Sequence, residues 1–256
     1  MKTELIVLLL LVALAAGWVD AVVGGGGLVQ LPTLLLAFPV APPATILATD
    51  KLSSISGTTA SAITFARGTR PDLRVAAPAA LLAVVVSGAG AATAGLIPAA
   101  AFRPFVLGAL VVVAAVVILR PGLGASPRQV RPARHRAVAA VAVTGVVLPF
   151  YNGLVGPGTG AMILLALTGL LGLDFVTGSA TAKLVNLGAN VGALAVFAVH
   201  GQAFWLLGLA MAACNVLGAR VGARTALRRG AGFIRIVLLC VVAALIAKLG
   251  GDYLFS

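Results

Sequence analysis

The chain has 256 residues, 61% hydrophobic and only 9% charged, with a net charge of +12 carried mostly by arginine. A soluble globular domain is excluded by that composition. So is a nucleic-acid-binding surface, because the arginines gather in short stretches between apolar segments, the pattern that sets membrane orientation.

Stretches free of charge run over 21–49, 75–102, 137–173 and 184–219, with His200 neutral. Crossing the hydrocarbon takes about 20 apolar residues as helix. The apolar residues do not alternate with period two, which argues against a barrel. Lipid offers the backbone no partners, so helices remain. The expected fold class is an all-α polytopic membrane protein.

In chain order, ten apolar segments are predicted at 5–23, 28–40, 44–66, 75–97, 104–119, 137–155, 159–173, 175–199, 203–223 and 233–250. The first begins like a secretory signal peptide, with a lysine, an apolar run and small residues to Ala16. Asp20 and the glycines behind it have counterparts in mid-chain, so it reads as a retained helix. Ten segments divide into five and five: a first membrane repeat over 1–119, a basic cytoplasmic linker over 120–136 and a second repeat over 137–256. A shift of 132 residues lays Gly24 on Gly156, Gly26 on Gly158, Thr49 on Thr181, Lys51 on Lys183 and Leu52 on Leu184. Over residues 20–66 it matches 11 of 47 pairs. Biased composition accounts for many of these, so the weight lies in their concentration at the glycines and at Thr-x-Lys-Leu.

An odd number of segments per half inverts the second copy relative to the first. The loop charges agree. Arg67, Arg70 and Arg74 follow the third segment, whereas the corresponding stretch around His200 has no arginine or lysine. One loop later the order reverses, with Arg220, Arg224, Arg228, Arg229 and Arg235 in the second half and Arg103 alone in the first. The linker adds Arg120, Arg128, Arg131, Arg134 and Arg136. One side then collects every basic loop, which places these loops in the cytoplasm and both termini outside. Inverted repeats recur in secondary transporters.

The segments at 28–40 and 159–173 are too short to span: 13 residues of helix reach about 20 Å. Each follows a glycine cluster, Gly24-Gly25-Gly26-Gly27 in one half and Gly156-Pro157-Gly158-Thr159-Gly160 in the other. Pro39, Pro42 and Pro43 close the first, and Gly169, Gly172 and Asp174 the second, with Asp174 placed to cap the next helix. Short broken segments at matching places, forming hairpins near the midplane, point to a transporter binding site.

A helix restarting after such a break aims its N–H groups and positive dipole end at whatever sits there, and an oxyanion suits that place. Lys51 and Lys183 are costly at depth, where charges mark substrate pathways. The substrate-binding candidates are therefore Gly24, Gly25, Gly26, Gly27, Thr49, Lys51, Gly156, Gly158, Thr159, Gly160, Thr181, Lys183 and Asn186, which shares a helix face with Lys183. The serines and threonines after Lys51, and Asn186 and Asn190 after Lys183, suit substrate contact and helix adhesion equally. Gly188-x-x-x-Gly192 and Gly218-x-x-x-Gly222 read as helix-packing sites. Asp20 and Asp50 occur only in the first half, where Asn152 and Ala182 answer them. They are candidates for proton coupling, and Asp50 also for neutralising a lysine or capping a helix.

Cys214 and Cys240 stand in apolar sequence without a motif, so neither a metal nor a disulfide is expected. His135 and His200 have no metal spacing. No nucleophile elbow or Walker loop occurs, so no catalytic residue and no cofactor is assigned and the chain does not read as an enzyme. The expected partners are a small anionic substrate and the lipid bilayer, not nucleic acid; homo-oligomerisation is left open.

Gly17-Trp18-Val19-Asp20 leading into Gly24–Gly27, and then Ala48-Thr49-Asp50-Lys51-Leu52, resemble the TauE/SafE sulfite exporter family, also called TSUP (4-toluene sulfonate uptake permease-like). In the second half Tyr151-Asn152-Gly153, Gly156–Gly160, Ser179-Ala180-Thr181-Ala182-Lys183-Leu184 and Gly218-Ala219-Arg220-Val221-Gly222-Ala223-Arg224 carry the same resemblance. It implies an inner-membrane permease for a small sulfur-containing anion such as sulfite, sulfoacetate, another sulfonate or thiosulfate. The leading reading is a secondary transporter working by alternating access. The other is an anion channel or a membrane subunit that needs a partner protein.

Overall fold

A computed structural model describes residues 3–94, 119, 133–199 and 203–254. The described residues are helical throughout, with short connections. In chain order the helices are α1 (Thr3–Val23), α2 (Gly26–Ala37), α3 (Pro43–Gly68), α4 (Leu73–Thr93), α5 (Arg134–Leu154), α6 (Thr159–Leu171), α7 (Phe175–Val199) and α8 (Trp205–Leu254). The predicted segment 104–119, apart from Leu119, and most of the linker lie outside the described residues. Arg134 to Arg136, assigned to that linker, form the first turn of α5.

Local chemistry sets the helix ends. Pro42 and Pro43 open α3, where a missing N–H is harmless. Asp72 caps α4 by accepting from the Arg74 N–H at 3.1 Å. Asp174 caps α7 as expected, accepting from Val176 at 2.8 Å and Thr177 at 3.1 Å. Gly172, at φ 72°, ends α6 in the left-handed conformation open to glycine. A wide π turn over Val143–Val147 lies just ahead of Pro149 in α5 and accommodates a residue that clashes with the carbonyl of a preceding α turn.

Among the described residues five helices, α1, α4, α5, α7 and α8, are long and apolar enough to cross a membrane. At 26 residues α3 has the length, about 39 Å, but carries Asp50, Lys51 and many hydroxyls. The helices α2 and α6 are apolar and short, as predicted. The segments predicted separately at 203–223 and 233–250 are two helical stretches of α8, divided at Gly230, whose backbone is not helical (φ 73°, ψ −168°). Phe233 comes back edge-on to Trp18, with ring centroids 6.3 Å apart. Trp18 also meets Gly222, so the chain reverses there, since the 11 residues from Gly222 to Phe233 would cover about 16 Å in a straight helix.

The helices of the two halves start 131 to 133 residues apart: α1 with α5, α2 with α6, α3 with α7 and α4 with α8. Packing crosses between halves, with α1 against α8, α4 against α5, α4 against α7 and α3 against α8. Small residues let the backbones touch. Gly188 lies on Ala80 and Gly192 on Val84; Gly218 lies on Leu14 and Gly222 on Trp18. Both small-residue pairs expected to pack thus do so.

These contacts also give directions. Residue numbers rise together along α1 and α8, along α3 and α8 (Leu52 with Gly208, Gly68 with Leu227), along α4 and α5 (Ala79 with Gly145, Ser87 with Gly153) and along α4 and α7. The start of α7 reaches Asp72, between the end of α3 and the start of α4, because the Asp72 N–H donates to Thr181. The start of α3 reaches the residue before α8, because the Phe204 N–H donates to Thr49. So α1, α3 and the first part of α8 run one way, and α4, α5 and α7 run the other.

Candidate functional site

The two glycine breaks meet. Each stops a helix because Gly24 (φ 77°) and Gly156 (φ 96°) adopt a backbone conformation that side chains disfavour. The Ala161 N–H, in the first turn of α6, donates to the Gly24 carbonyl at 3.1 Å. A Cβ on Gly24 would collide with the backbone of Gly160, and one on Gly160 with that of Gly24. Gly26 lies on Ala16 and Asp20, Gly27 faces Pro157 and Asp50, and Gly158 (φ 81°) rests on Leu28. Gly25 has only side chains near it. The Thr159 hydroxyl donates to the Gly156 carbonyl at 2.7 Å, and Tyr151 ties the same loop by donating to Pro157 at 3.0 Å. The glycines at this junction therefore serve close backbone approach, and one N–H of the restarting helix is spent joining the breaks.

Both lysines are buried at this junction, each 3% exposed, and each reaches across to the other half. Lys51, about 12 Å along α3, donates to Asn152 at 2.8 Å and to Asn190 at 3.2 Å. Its ammonium also lies against Gly156, where a Cβ would stand 2.8 Å away. Asn152 itself donates to Asn190 at 3.1 Å and to Ser87 at 3.5 Å. Lys183 on α7 forms an ion pair with Asp20 at 2.9 Å and also donates to the Asp20 main-chain carbonyl. Asp20 in turn accepts from Thr58 at 3.3 Å.

The 132-residue shift relates these two clusters, Lys51 to Lys183, Asn152 to Asp20 and Asn190 to Thr58. They differ in charge. Lys183 faces a carboxylate, whereas Lys51 faces amides alone. Asp50, next to Lys51 in the chain, does not neutralise it by a direct bond and caps no helix. It accepts from Gln30 at 2.9 Å, and the Gln30 side-chain oxygen accepts from Ser53 and Asn215, each at 3.2 Å.

Thr49 and Thr181 are engaged with main chain. Each donates to the carbonyl four residues back, Thr45 and Thr177, at 2.7 and 2.8 Å. Each also accepts, at 3.0 Å, the N–H of Phe204 or Asp72, residues that the same shift relates. A small cavity lies beside Lys183, lined also by Gly24, Gly160, Ser179 and Asn186, with room for about one water molecule.

Lys51, Lys183, Asp20, Asp50, Asn186 and the two breaks thus come together, while Thr49 and Thr181 hold the starts of α8 and α4. Sequence reasoning missed Gln30, Ser87 and Asn215 and gave Ser179 no role of its own. Gln30 and Asn215 were detectable as single strongly polar side chains within apolar stretches. Ser87 and Ser179 gave no such signal among small residues.

The family model described as sulfite exporter TauE/SafE matches residues 9–249. The chain is 32% identical over 252 residues to a Sinorhizobium protein named "Probable membrane transporter protein ORF9", covering 97% of this chain and 94% of the relative. It is 32% identical over 241 residues to "Probable membrane transporter protein YfcA" of Escherichia coli K12, covering 94% and 88%. A "Probable membrane transporter protein" of Haemophilus influenzae is 30% identical over 249 residues, covering 97% and 96%. No solved structure matches the chain.

Proposed function

From the premise that the chain belongs to the TauE/SafE sulfite exporter family, we propose that it is a secondary transporter for a small sulfur-containing anion, such as sulfite, sulfoacetate, another sulfonate or thiosulfate. It is a multi-pass membrane protein of a transporter family. One observation carries the anion reading: two buried lysines, one from each half, reach across to the glycine break of the other half. A cation at that depth is retained where a negative partner passes.

We read the two halves as inverted repeats, which the opposed directions of α3 and α7 support. The cavity beside Lys183 takes about one water, less than any of these anions needs, so substrate entry requires the halves to move and the reading is alternating access. Arg67, Arg70 and Arg74 lie at the end of α3 that packs beside Leu227, next to Arg228 and Arg229, and α5 starts at that same end with Arg134 and Arg136. Assigning this end to the cytoplasmic face of the inner membrane follows the positive-inside rule and leaves the N-terminus outside. Of the two candidates for proton coupling, Asp20, paired with Lys183, is the proposed proton carrier and Asp50, held by Gln30, is the alternative.

The test is the thermal stability of the detergent-purified protein against sulfite, sulfate, thiosulfate, sulfoacetate, taurine, acetate and chloride. A ligand at about 100 times its Kd adds about 2.7 kcal/mol. The expected result is a shift with one sulfur oxyanion that Lys51→Ala or Lys183→Ala removes. Absence of a shift with every sulfur oxyanion overturns the proposal.

A further inference from the structure

Resting on that reading, we propose that the anion binds at the place marked by the small cavity beside Lys183, widened as the halves move, by displacing Asp20 from the lysine, and that Asp20 then takes up a proton. The two lysine clusters are not equivalent, and the cavity opens on only one of them. Ser179 and Asn186 line it with Lys183. The Ser179 hydroxyl is buried and has no hydrogen-bond partner among the described residues. Such a group is costly to leave unpaired, by roughly a factor of ten or more in stability. Ser179 lines a space that also meets an ammonium, an amide and the first turn of α6. Those are donors for an oxyanion, and the hydroxyl gains its missing partner when an anion arrives.

Lys183 already holds a carboxylate, however. An anion and the Asp20 side chain compete for one ammonium. Once displaced, Asp20 stays in a largely buried position without its counter-charge and binds a proton from the aqueous side to which the site is open. One negative charge arrives and one is neutralised, so the charge of the site is the same before and after. The other titratable groups toward Asp20 are Asp50 and Lys51 on α3. Asp50 is held by Gln30 and Lys51 by Asn152 and Asn190, so neither is exchanged in this step. Neither α2 nor α6 carries a titratable side chain, and Arg220 and Arg224 of α8 are exposed.

Ordering follows. Asp20 is ionised in the free site and protonated in the bound one, so binding takes up a proton. Affinity falls as pH rises, by as much as tenfold per pH unit across the range where the two states differ in protonation. Asp20→Asn frees Lys183 from competition and abolishes the slope. Asparagine is tolerated in this setting, since Asn152 fills the related position against Lys51.

The experiment measures Kd for thiosulfate, sulfoacetate and sulfite across neutral pH by ligand-dependent thermal shift, in the wild type, Asp20→Asn, Asp50→Asn and Ser179→Ala. Any titration of the probe itself is common to all four proteins and cancels in the ratios. Expected are tighter and flatter binding in Asp20→Asn, an unchanged slope in Asp50→Asn, and at least about tenfold weaker binding in Ser179→Ala with no loss of stability in the free protein. Binding by the wild type that ignores both Ser179→Ala and Asp20→Asn, or a slope that disappears in Asp50→Asn instead, overturns the displacement while leaving the transporter reading in place. No binding of any probe by the wild type overturns both.

Discussion

Asp20 and Asn152 are the pair on which the two clusters diverge. Lys183 meets a carboxylate and Lys51 an amide, and a buried ion pair is costly to break from one side only. Asp20→Ala strands an ammonium in the interior, at an expected cost of about 3–5 kcal/mol. Adding Lys183→Met should recover part of it, and a double-mutant cycle on the detergent-denaturation midpoint should give a coupling of about 1 kcal/mol or more. Additive single effects would mean that the pair contributes nothing. The glycines separate just as sharply. Gly24→Ala places a Cβ into the backbone of Gly160 at a positive φ, whereas Gly25→Ala meets only side chains, the nearest atom 3.5 Å away. Loss of folded, monodisperse protein is expected for the first and near-normal yield for the second. The apolar segments and the two lysines were legible as single residues in the sequence. That Gly24 is spent on Gly160 was not, because the contact joins positions more than a hundred residues apart.

Helix positions in the two halves are locked by one repeated bond. Thr49 accepts from the main chain ahead of α8, and Thr181 from the main chain ahead of α4, both at 3.0 Å. The hydroxyl does two jobs, since it also donates to its own helix one turn back. Replacement by alanine leaves a main-chain N–H without its acceptor, at about 1–3 kcal/mol. Thr49→Ala and Thr181→Ala should therefore lower the Tm by similar amounts, while Thr→Ser at either place should restore most of it. A large effect in one half and none in the other would break the equivalence. Helix lengths, caps and the two short helices follow from local signals: proline at the start of α3, Asp174 before α7, glycine before α2 and α6. The two segments read on either side of Gly230 match the break there, where a positive φ open to glycine ends one helix before the next begins.

Among the described residues, Arg67, Arg70, Arg74, Arg134, Arg136, Arg228 and Arg229 gather at one end of the bundle, through Gly68 against Leu227 and the shared starts of α4 and α5. Val40, 95% exposed in the connection before α3, lies at the opposite end. With Cys214 and Cys240 replaced by alanine, a membrane-impermeant maleimide should label Val40→Cys in intact cells. It should label Arg70→Cys only after permeabilisation. The reverse pattern would invert the proposed orientation.

Sequence alone was enough for the membrane class and the family motifs, because hydropathy, charge placement and glycine breaks are written in short stretches of chain. It also singled out Lys51, Lys183, Asp20 and Asp50 within apolar stretches. Only the tertiary structure decided who meets whom: Lys51 with Asn152 and Asn190, Lys183 with Asp20, Asp50 with Gln30, and an unpaired Ser179 beside a cavity. These partners come from different helices. A partner within hydrogen-bond reach is set by how helices pack, and side-chain identity along one helix carries no record of which residues of another will face it.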